Sequence, residues 1–453
     1  MNQFRIRIGT LIALLSGTVA PGAALASGLT TIYTFTGGSD GAYPYAGLTA
    51  GPKETFFGAT AGGGAEAAGV IFQLSPPAKG GTTWTDTPLY QFTGAADGFF
   101  PSGNLLLDKS GVLYGTTVFG GLFNGTCVVS GTDYGCGTVF QLAPPAKGRT
   151  NWTLTTLCSF TGAADGSSPF GGVTLDSTGA LYVFSTGNYT CGSGACGTVI
   201  QLTPPAKGKT DWTESTLYNF PGGSGGGVPG SYGAPLLGSK GEIFGTASEG
   251  GNPKNPQCLN YGCGIVFQLT PPAKGKTAWK RKTIFAFNGA DGLNPIGGLT
   301  VDAKGNLYGS TNEGGKLSTC VPGSPYPNGC GVVFELSPPA KGATDWTETV
   351  LRKFTNGADG AFPFAAPIFD GKNIYVTTSG NEQTSYGSLD ELLPPAKAGR
   401  AWREKTKYEF SNDSPNSDNP LGKPLLRGGV IYGTTYGDGT NPTPYGTIFT
   451  FKP

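Results

Sequence analysis

Four short runs within residues 298–354 decide the fold: Gly298-Leu-Thr-Val-Asp302, Asn306-Leu-Tyr-Gly-Ser-Thr311, Gly331-Val-Val-Phe-Glu-Leu336 and Trp346-Thr-Glu-Thr-Val-Leu-Arg-Lys-Phe354. Each is rich in β-branched and aromatic residues, and none repeats with a helical period. The turn Ala303-Lys304-Gly305 separates the first two, and a Pro-Pro-Ala-Lys loop starting at Pro338 separates the last two. Such a unit reads as four antiparallel strands, a to d.

The unit recurs along the whole chain. All six tryptophans (Trp84, Trp152, Trp212, Trp279, Trp346 and Trp402) follow a Pro-Pro-Ala-Lys loop, starting at Pro76, Pro144, Pro204, Pro271, Pro338 and Pro394. Their spacing of 56 to 68 residues means an array of supersecondary units. Strands a and b recur near Leu48/Phe57, Leu105/Tyr114, Val173/Tyr182, Leu236/Phe244, Leu299/Tyr308, Ile368/Tyr375 and Leu425/Tyr432. Strand c appears as GVIFQL, GTVFQL, GTVIQL, GIVFQL, GVVFEL, GSLDEL and GTIFTF. Strand d follows strand c only six times, but Leu29-Thr-Thr-Ile-Tyr-Thr-Phe35 resembles the strand Thr216-Leu-Tyr-Asn-Phe220. The pattern predicts an all-β, seven-bladed β-propeller of four-stranded antiparallel blades. It forms one domain over residues 27–453, and the N-terminal strand closes the ring so that no sheet edge stays open.

Composition agrees with many short strands and turns. Glycine occurs 78 times and proline 35 times in 453 residues, and only 13% of residues are charged. Arg5 and Arg7, an apolar run from Ile8 to Val19 and the small residues Ala24-Leu25-Ala26 predict a signal peptide over residues 1–26, cleaved after Ala26. The apolar run is short for a membrane span. The mature chain is then expected to hold 28 basic and 29 acidic residues, a net charge of −1, which disfavours a nucleic-acid partner. The expectation is a secreted or periplasmic monomer with no membrane span and no C-terminal anchor.

The recurring GNLYGST…GG…GVVFEL pattern resembles the Gloeo_Verruco (GloVer) tandem repeat of exported bacterial proteins. The resemblance covers essentially the whole mature chain. Val183 and Val376 stand where the strand-b glycine is usual, and Asp390 interrupts the strand-c pattern. The resemblance implies export and repetition, and it brings no reaction with it.

Eight cysteines lie between strands b and c in pairs: Cys127/Cys136, Cys191/Cys196, Cys258/Cys263 and Cys320/Cys330. Paired presence in an exported chain predicts four local disulfides, each worth about 2–3 kcal/mol. Metal binding is the rival reading, and it lacks histidine and joins no two pairs. Cys158 occupies a strand-d tyrosine slot and reads as a buried free thiol. The tryptophans are expected to cover their own proline loops as small satellite cores. Asp-Gly precedes strand a at Asp40, Asp97, Asp165, Asp291 and Asp359, with Asn416 in the same slot of the last blade. A carboxylate ring suits Ca²⁺, but one Asp per blade is not a six-oxygen cage. A turn reading is preferred, in which Asp accepts backbone N–H groups. Asp108, Asp176, Asp302 and Asp370 read as a–b turn residues. No cofactor and no metal is expected.

The d–a and b–c loops emerge on one face of a propeller. Here that face collects the disulfides, the Asp-Gly turns and aromatics such as Tyr43, Tyr45, Phe99, Phe123, Tyr134, Tyr189, Tyr261, Tyr326 and Phe362. Variable loops on a rigid scaffold suit binding, so the leading expectation is a binding or scaffold protein for a polysaccharide or an envelope protein. The opposite face carries Lys79, Lys147, Lys207, Lys274, Lys341 and Lys397, read as dispersed solvated lysines. With no histidine in the chain, Ser-His-Asp and Cys-His sites are excluded. The alternative is a polysaccharide-cleaving hydrolase or lyase using paired carboxylates. Glu249 and Glu313 occupy the same b–c position in neighbouring blades, with Glu382 close to it in blade 6.

Overall fold

The computed structural model describes residues 28–187, 196–230, 232–252, 254–255, 258, 261–316, 320, 329–380, 386–397, 401–411, 419–437 and 444–453. The signal-peptide span and Tyr189, Cys191, Tyr326, Glu382 and Asn416 lie outside them.

Seven antiparallel sheets form the blades of a propeller, each in the order a-b-c-d. The ring closes as the repeat count requires. Leu29–Thr34 pairs antiparallel with Thr447–Phe451, Leu29 opposite Phe451 and Thr34 opposite Thr447, and so supplies strand d of blade 7. Burial follows the layers. In five blades every residue of strand b is buried, strand c exposes little beyond its Gln or Glu, and strand d alternates toward solvent.

The strand-b glycine is explained by its neighbour across the sheet. Gly58, Gly115, Gly245, Gly309 and Gly433 stand opposite Phe72, Phe140, Phe267, Phe334 and Phe449. A Cβ on any of these glycines would overlap the facing ring. That ring packs edge-on against the phenylalanine ending strand d of the preceding blade: Phe92–Phe140 at 5.4 Å, Phe220–Phe267 at 4.9 Å and, across the closure, Phe35–Phe72 at 5.2 Å. Burying each such ring contributes about 2–3 kcal/mol and joins two blades. Where the glycine is replaced, its partner changes as well: Val183 faces Ile200 and Val376 faces Asp390.

A second seam runs along the loop face. The residue before the loop proline has a positive φ in every blade, as in Tyr43 (61°), Phe100 (62°), Val228 (52°) and Asn294 (61°). This costs energy in a non-glycine residue. Its N–H donates to a carbonyl in the preceding blade: Tyr43 to Tyr445, Phe100 to Ala68, Val228 to Cys196, Asn294 to Cys263. The neighbouring proline packs on the strand-c glycine of that same blade, Pro169 on Gly137 and Pro44 on Gly446. Asp-Gly-x-x-Pro and the glycine of GTVF are therefore two halves of one interblade clamp.

Three features depart from the sequence reading. The tryptophans are not confined to satellite cores of their own blades. Each of four pairs with a strand-b ring of the preceding blade: Trp152 with Phe57 (6.1 Å), Trp212 with Tyr114 (6.4 Å), Trp346 with Phe244 (6.1 Å) and Trp84 with Tyr432 (6.5 Å). Blade 4 has a fifth strand, Gly227–Pro229, paired with the end of strand b at Gly227–Glu249 and Pro229–Ala247. Blades 1, 2 and 5 keep only single bridges there, Ala42–Gly62, Phe99–Phe119 and Leu293–Glu313. Finally, strand d is bulged in every blade. One residue (Leu89, Leu157, Leu217, Ile284, Leu351, Lys407 or Ile32) has no partner in the register, which increases the local twist.

Candidate functional site

Two regions hold side chains that the scaffold does not consume: one loop on the loop face, and the central channel.

On the loop face, most of the carboxylates and aromatics are structural. Asp97 accepts hydrogen bonds from Thr93 N (2.8 Å), the Thr93 hydroxyl (2.5 Å) and the Tyr90 hydroxyl (3.0 Å), and Asp40 does the same with Thr36 and Tyr33. In blade 5 an arginine replaces that tyrosine, and Arg352 donates to Asp359 at 2.5 Å. The a–b turn aspartates are held in turns too. Burial opposes ionisation of Asp108, but bonds from the Ser110 hydroxyl and from the N–H groups of Val112 and Ser110 outweigh it and keep the carboxyl below its usual range. Tyr43 packs on Tyr436 at 5.1 Å, Phe99 packs on Phe119 at 5.8 Å, and Phe362 is buried.

Blade 2 differs. Its b–c loop carries the disulfide Cys127–Cys136 and a small hairpin of Val128–Val129 with Thr132–Asp133. The Asp133 carboxylate accepts from Gly125 N (2.7 Å) and Gly135 N (2.9 Å), which ties the loop to itself. Leu122, Phe123, Val128, Val129 and Tyr134 remain 38–52% exposed on it. Tyr134 continues a line of rings inward through Phe119 (5.6 Å) to Phe99. Tyr261, in the b–c loop of blade 4 braced by Cys258–Cys263, is 61% exposed.

The cysteine pairing holds where the residues are described. Cys127–Cys136, Cys258–Cys263 and Cys320–Cys330 are disulfides. Cys196 is buried beside the clamp of blade 4, and its sequence partner Cys191 lies outside the described residues. Cys158 is a buried thiol, and its Sγ donates to Glu214 at 3.0 Å.

Glu249 and Glu313 sit at the same rung of adjacent blades, the last residue of strand b in blade 4 and its bridge equivalent in blade 5. Oε2 of Glu249 lies over Gly227 of its own blade, on the flank toward Cys196 of blade 3. Neither glutamate lines the central cavity.

That cavity has a volume of about 410 Å³, and all seven blades line it. Three residues before strand a build it in each blade. The first is bulky in six blades, as in Tyr45, Phe170, Tyr232 and Phe364, and is Ser102 in blade 2. These rings meet across the axis: Tyr45 stacks on Tyr232 at 5.4 Å, and Tyr232 meets Phe170 and Phe364 edge-on at 5.5 Å. They plug the channel on the loop-face side. The second residue is glycine or alanine in all blades. Gly171 lies against Gly233 and Gly103 against Gly171, closer than a Cβ would permit. The third is glycine or alanine in five blades, Asn104 in blade 2 and Lys423 in blade 7. Lys423 Nζ donates to the Thr300 hydroxyl of blade 5 at 3.3 Å, and Asn104 Oδ1 accepts from Gly47 N at 2.9 Å. Among the described residues no carboxylate lines the cavity. The sequence reading passed over Lys423. Aligning the tripeptides Tyr45-Ala46-Gly47 to Leu421-Gly422-Lys423 would have exposed it, since it is the one charged residue in that ring.

The class defined by this architecture is an all-β propeller with cysteine-braced loops. The Gloeobacter/Verrucomicrobia repeat model matches residues 121–389, more than half of the chain, and the chain belongs to that family. No curated protein matches it in sequence. Among solved structures, a polysaccharide lyase of a new family, an ulvan lyase, is similar at 11% identity with a TM-score of 0.50, covering 93% of this chain and 94% of that one. The polysaccharide lyase Uly1 is similar at 13% identity with a TM-score of 0.48, covering 90% of each. The PQQ-bound aldose sugar dehydrogenase of Streptomyces coelicolor is similar at 12% identity with a TM-score of 0.41, covering 93% and 96%. At these identities the likeness shows the propeller fold alone. No helix among the described residues is long and apolar enough to cross a membrane.

Proposed function

We propose that this chain is an exported binding protein whose contact surface is the disulfide-braced loop of blade 2, and that its ligand is a polysaccharide. The observation that carries this reading is the exposed set Leu122, Phe123, Val128, Val129 and Tyr134 on a loop fixed by a disulfide and by Asp133. An apolar surface kept in water on a rigid support marks an interaction site. Flat rings with few charges nearby suit the faces of sugar rings, and pre-ordering the loop lowers the entropy cost of binding. Local disulfides agree with an oxidising compartment.

The test is a glycan array, followed by affinity measurement on Phe123→Ala combined with Tyr134→Ala. Both side chains are exposed, so the melting temperature is expected to stay within a degree or two while binding falls at least tenfold. Silence on the array, or unchanged affinity in the double variant, overturns the reading. Capture of an envelope protein instead of a glycan overturns the choice of ligand. The enzymatic alternative rests on Glu249 and Glu313 at one rung of adjacent blades.

A further inference from the structure

The central channel contains an unusual charge. Lys423 reaches from blade 7 to Thr300 of blade 5, and that 3.3 Å bond is the only one its ammonium makes among the described residues. The Thr300 hydroxyl donates onward to Pro367 O at 2.7 Å, so it is committed as an acceptor toward the lysine. Two ammonium protons remain. The side chain keeps some surface on the cavity, yet the ring around it is dense, and desolvation lowers its pKa. Among the described residues the other ionisable groups in the lining are Tyr45 and Tyr232. Burial, joined for Tyr45 by Tyr232 and Tyr436, keeps these hydroxyls protonated. Asn104, with Oδ1 occupied by Gly47 N–H, has no partner for its Nδ2 donor among the described residues. Among the described residues the cavity therefore offers donors and one positive charge, and no acceptor of opposite charge.

A cation held in a partly dry cavity without a counter-charge is unfavourable unless something compensates it. The backbone does not require the lysine, because glycine or alanine fills the equivalent position in five blades. We propose that the central cavity is a binding site for a small anion, a sugar acid or a phosphate, that pairs with Lys423 Nζ and takes a hydrogen bond from Asn104 Nδ2. At about 410 Å³ the cavity lies in the size range of small-ligand sites. The aromatic plug closes the loop-face end. The lining continues to Leu175 and Leu237, the last residues of strand a, and Val301 at the same level is 45% exposed. Entry is from the a–b side, opposite the blade 2 loop, so this site is independent of the polysaccharide surface.

The test is isothermal titration of the purified protein at constant ionic strength with three probes: sodium glucuronate, inorganic phosphate and uncharged glucose. Saturable heat at one site per chain is expected for at least one anion, and none for glucose. Glucuronate alone would identify a sugar acid, and phosphate alone a phosphate. Lys423→Met is expected to weaken binding at least tenfold and Lys423→Arg by only a few fold. Lys423→Met removes an uncompensated charge, so its melting temperature without ligand should not fall. A wild-type readout keeps the test valid if that variant misfolds. After reductive ¹³C-methylation, the Lys423 resonance should move with the bound anion at concentrations that leave the exposed lysines unmoved. Equal heats in wild type and Lys423→Met, no saturable heat with either anion, or an unmoved Lys423 resonance overturns the proposal.

Discussion

Val376 stands directly across the sheet from Asp390, at the rung where five other blades set a glycine against a phenylalanine. Asp390 is fully buried. Burial pushes its pKa well above the ordinary 3.8, Glu404 and Asp359 push it further, and hydrogen bonds from Ser388 and Thr406 only partly oppose this. Among the described residues its Oδ1 has no hydrogen-bond partner. The same interface replaces the strand-d tyrosine by Arg352, which bridges Asp359 and Glu404. Blades 5 and 6 are thus joined by a polar cluster where five other interfaces use a phenylalanine pair.

The pairing predicts a rescue. Asp390→Phe alone should lower stability by about 1–3 kcal/mol, because Val376 fills the space the ring needs. Adding Val376→Gly should recover that loss, because it recreates the Gly–Phe rung and gives Phe354 an edge-on partner. Chemical denaturation of the single and double variants measures the coupling, and strict additivity would show that the rung does not act as a unit.

Closure by the N-terminal strand makes a second prediction. Deleting residues 28–36 removes Leu29–Thr34 and Phe35 and uncovers the edge of Thr447–Phe451. The truncated protein should melt lower in calorimetry and should self-associate in light scattering, since an open edge templates pairing. A truncation that melts and scatters like the parent would show that the closing strand is dispensable.

Stability should fall as pH rises. Burial raises Asp86 from 3.8 to about 7, helped by Asp40. Glu348 rises from 4.5 to about 7, again first by burial and then by Asp291, against a lowering effect of Lys353. In both cases the folded form binds its proton more tightly than the unfolded chain. The folded state therefore holds more protons between about pH 4 and 7, and stability drops across that window. Melting temperature at pH 5 should exceed that at pH 8, and Asp86→Asn with Glu348→Gln should flatten the difference. A profile unchanged by the two substitutions would assign the pH dependence elsewhere.

Peptide mapping of non-reduced, exported protein should recover Cys127–Cys136, Cys258–Cys263 and Cys320–Cys330. We expect Cys191–Cys196 as the fourth link. Cys158 should alkylate only after unfolding, because burial first, and then Glu214, raise its thiol far above the usual range. Links between blades would contradict the local pairing.

Glu249→Gln and Glu313→Gln separate binder from enzyme. The binding reading predicts unchanged affinity for any array-positive glycan in both variants, and no depolymerisation by the parent. Reducing-end or unsaturated-sugar assays that detect cleavage in the parent, lost in either variant, would establish the enzymatic alternative.

The sequence by itself determined the number of blades, the order of their strands and the closure. These follow from local patterns that recur, and from an unmatched count at the two ends. It also determined the three cysteine pairs of the described residues, because partners only a few residues apart need no fold to bring them together. Tertiary structure alone decided what the repeated residues contact. Trp152 meets Phe57, and Tyr43 bonds to Tyr445, because each blade is twisted against the one before it, and no period along the chain encodes which neighbour a side chain reaches. The strand-d bulge was equally hidden, since one unpaired residue leaves the apolar pattern readable while shifting the register. Lys423 shows the limit most clearly. In the sequence it is an ordinary lysine in a proline-flanked turn. Only the convergence of seven equivalent positions on one axis places its charge in a cavity that no carboxylate of the described residues lines.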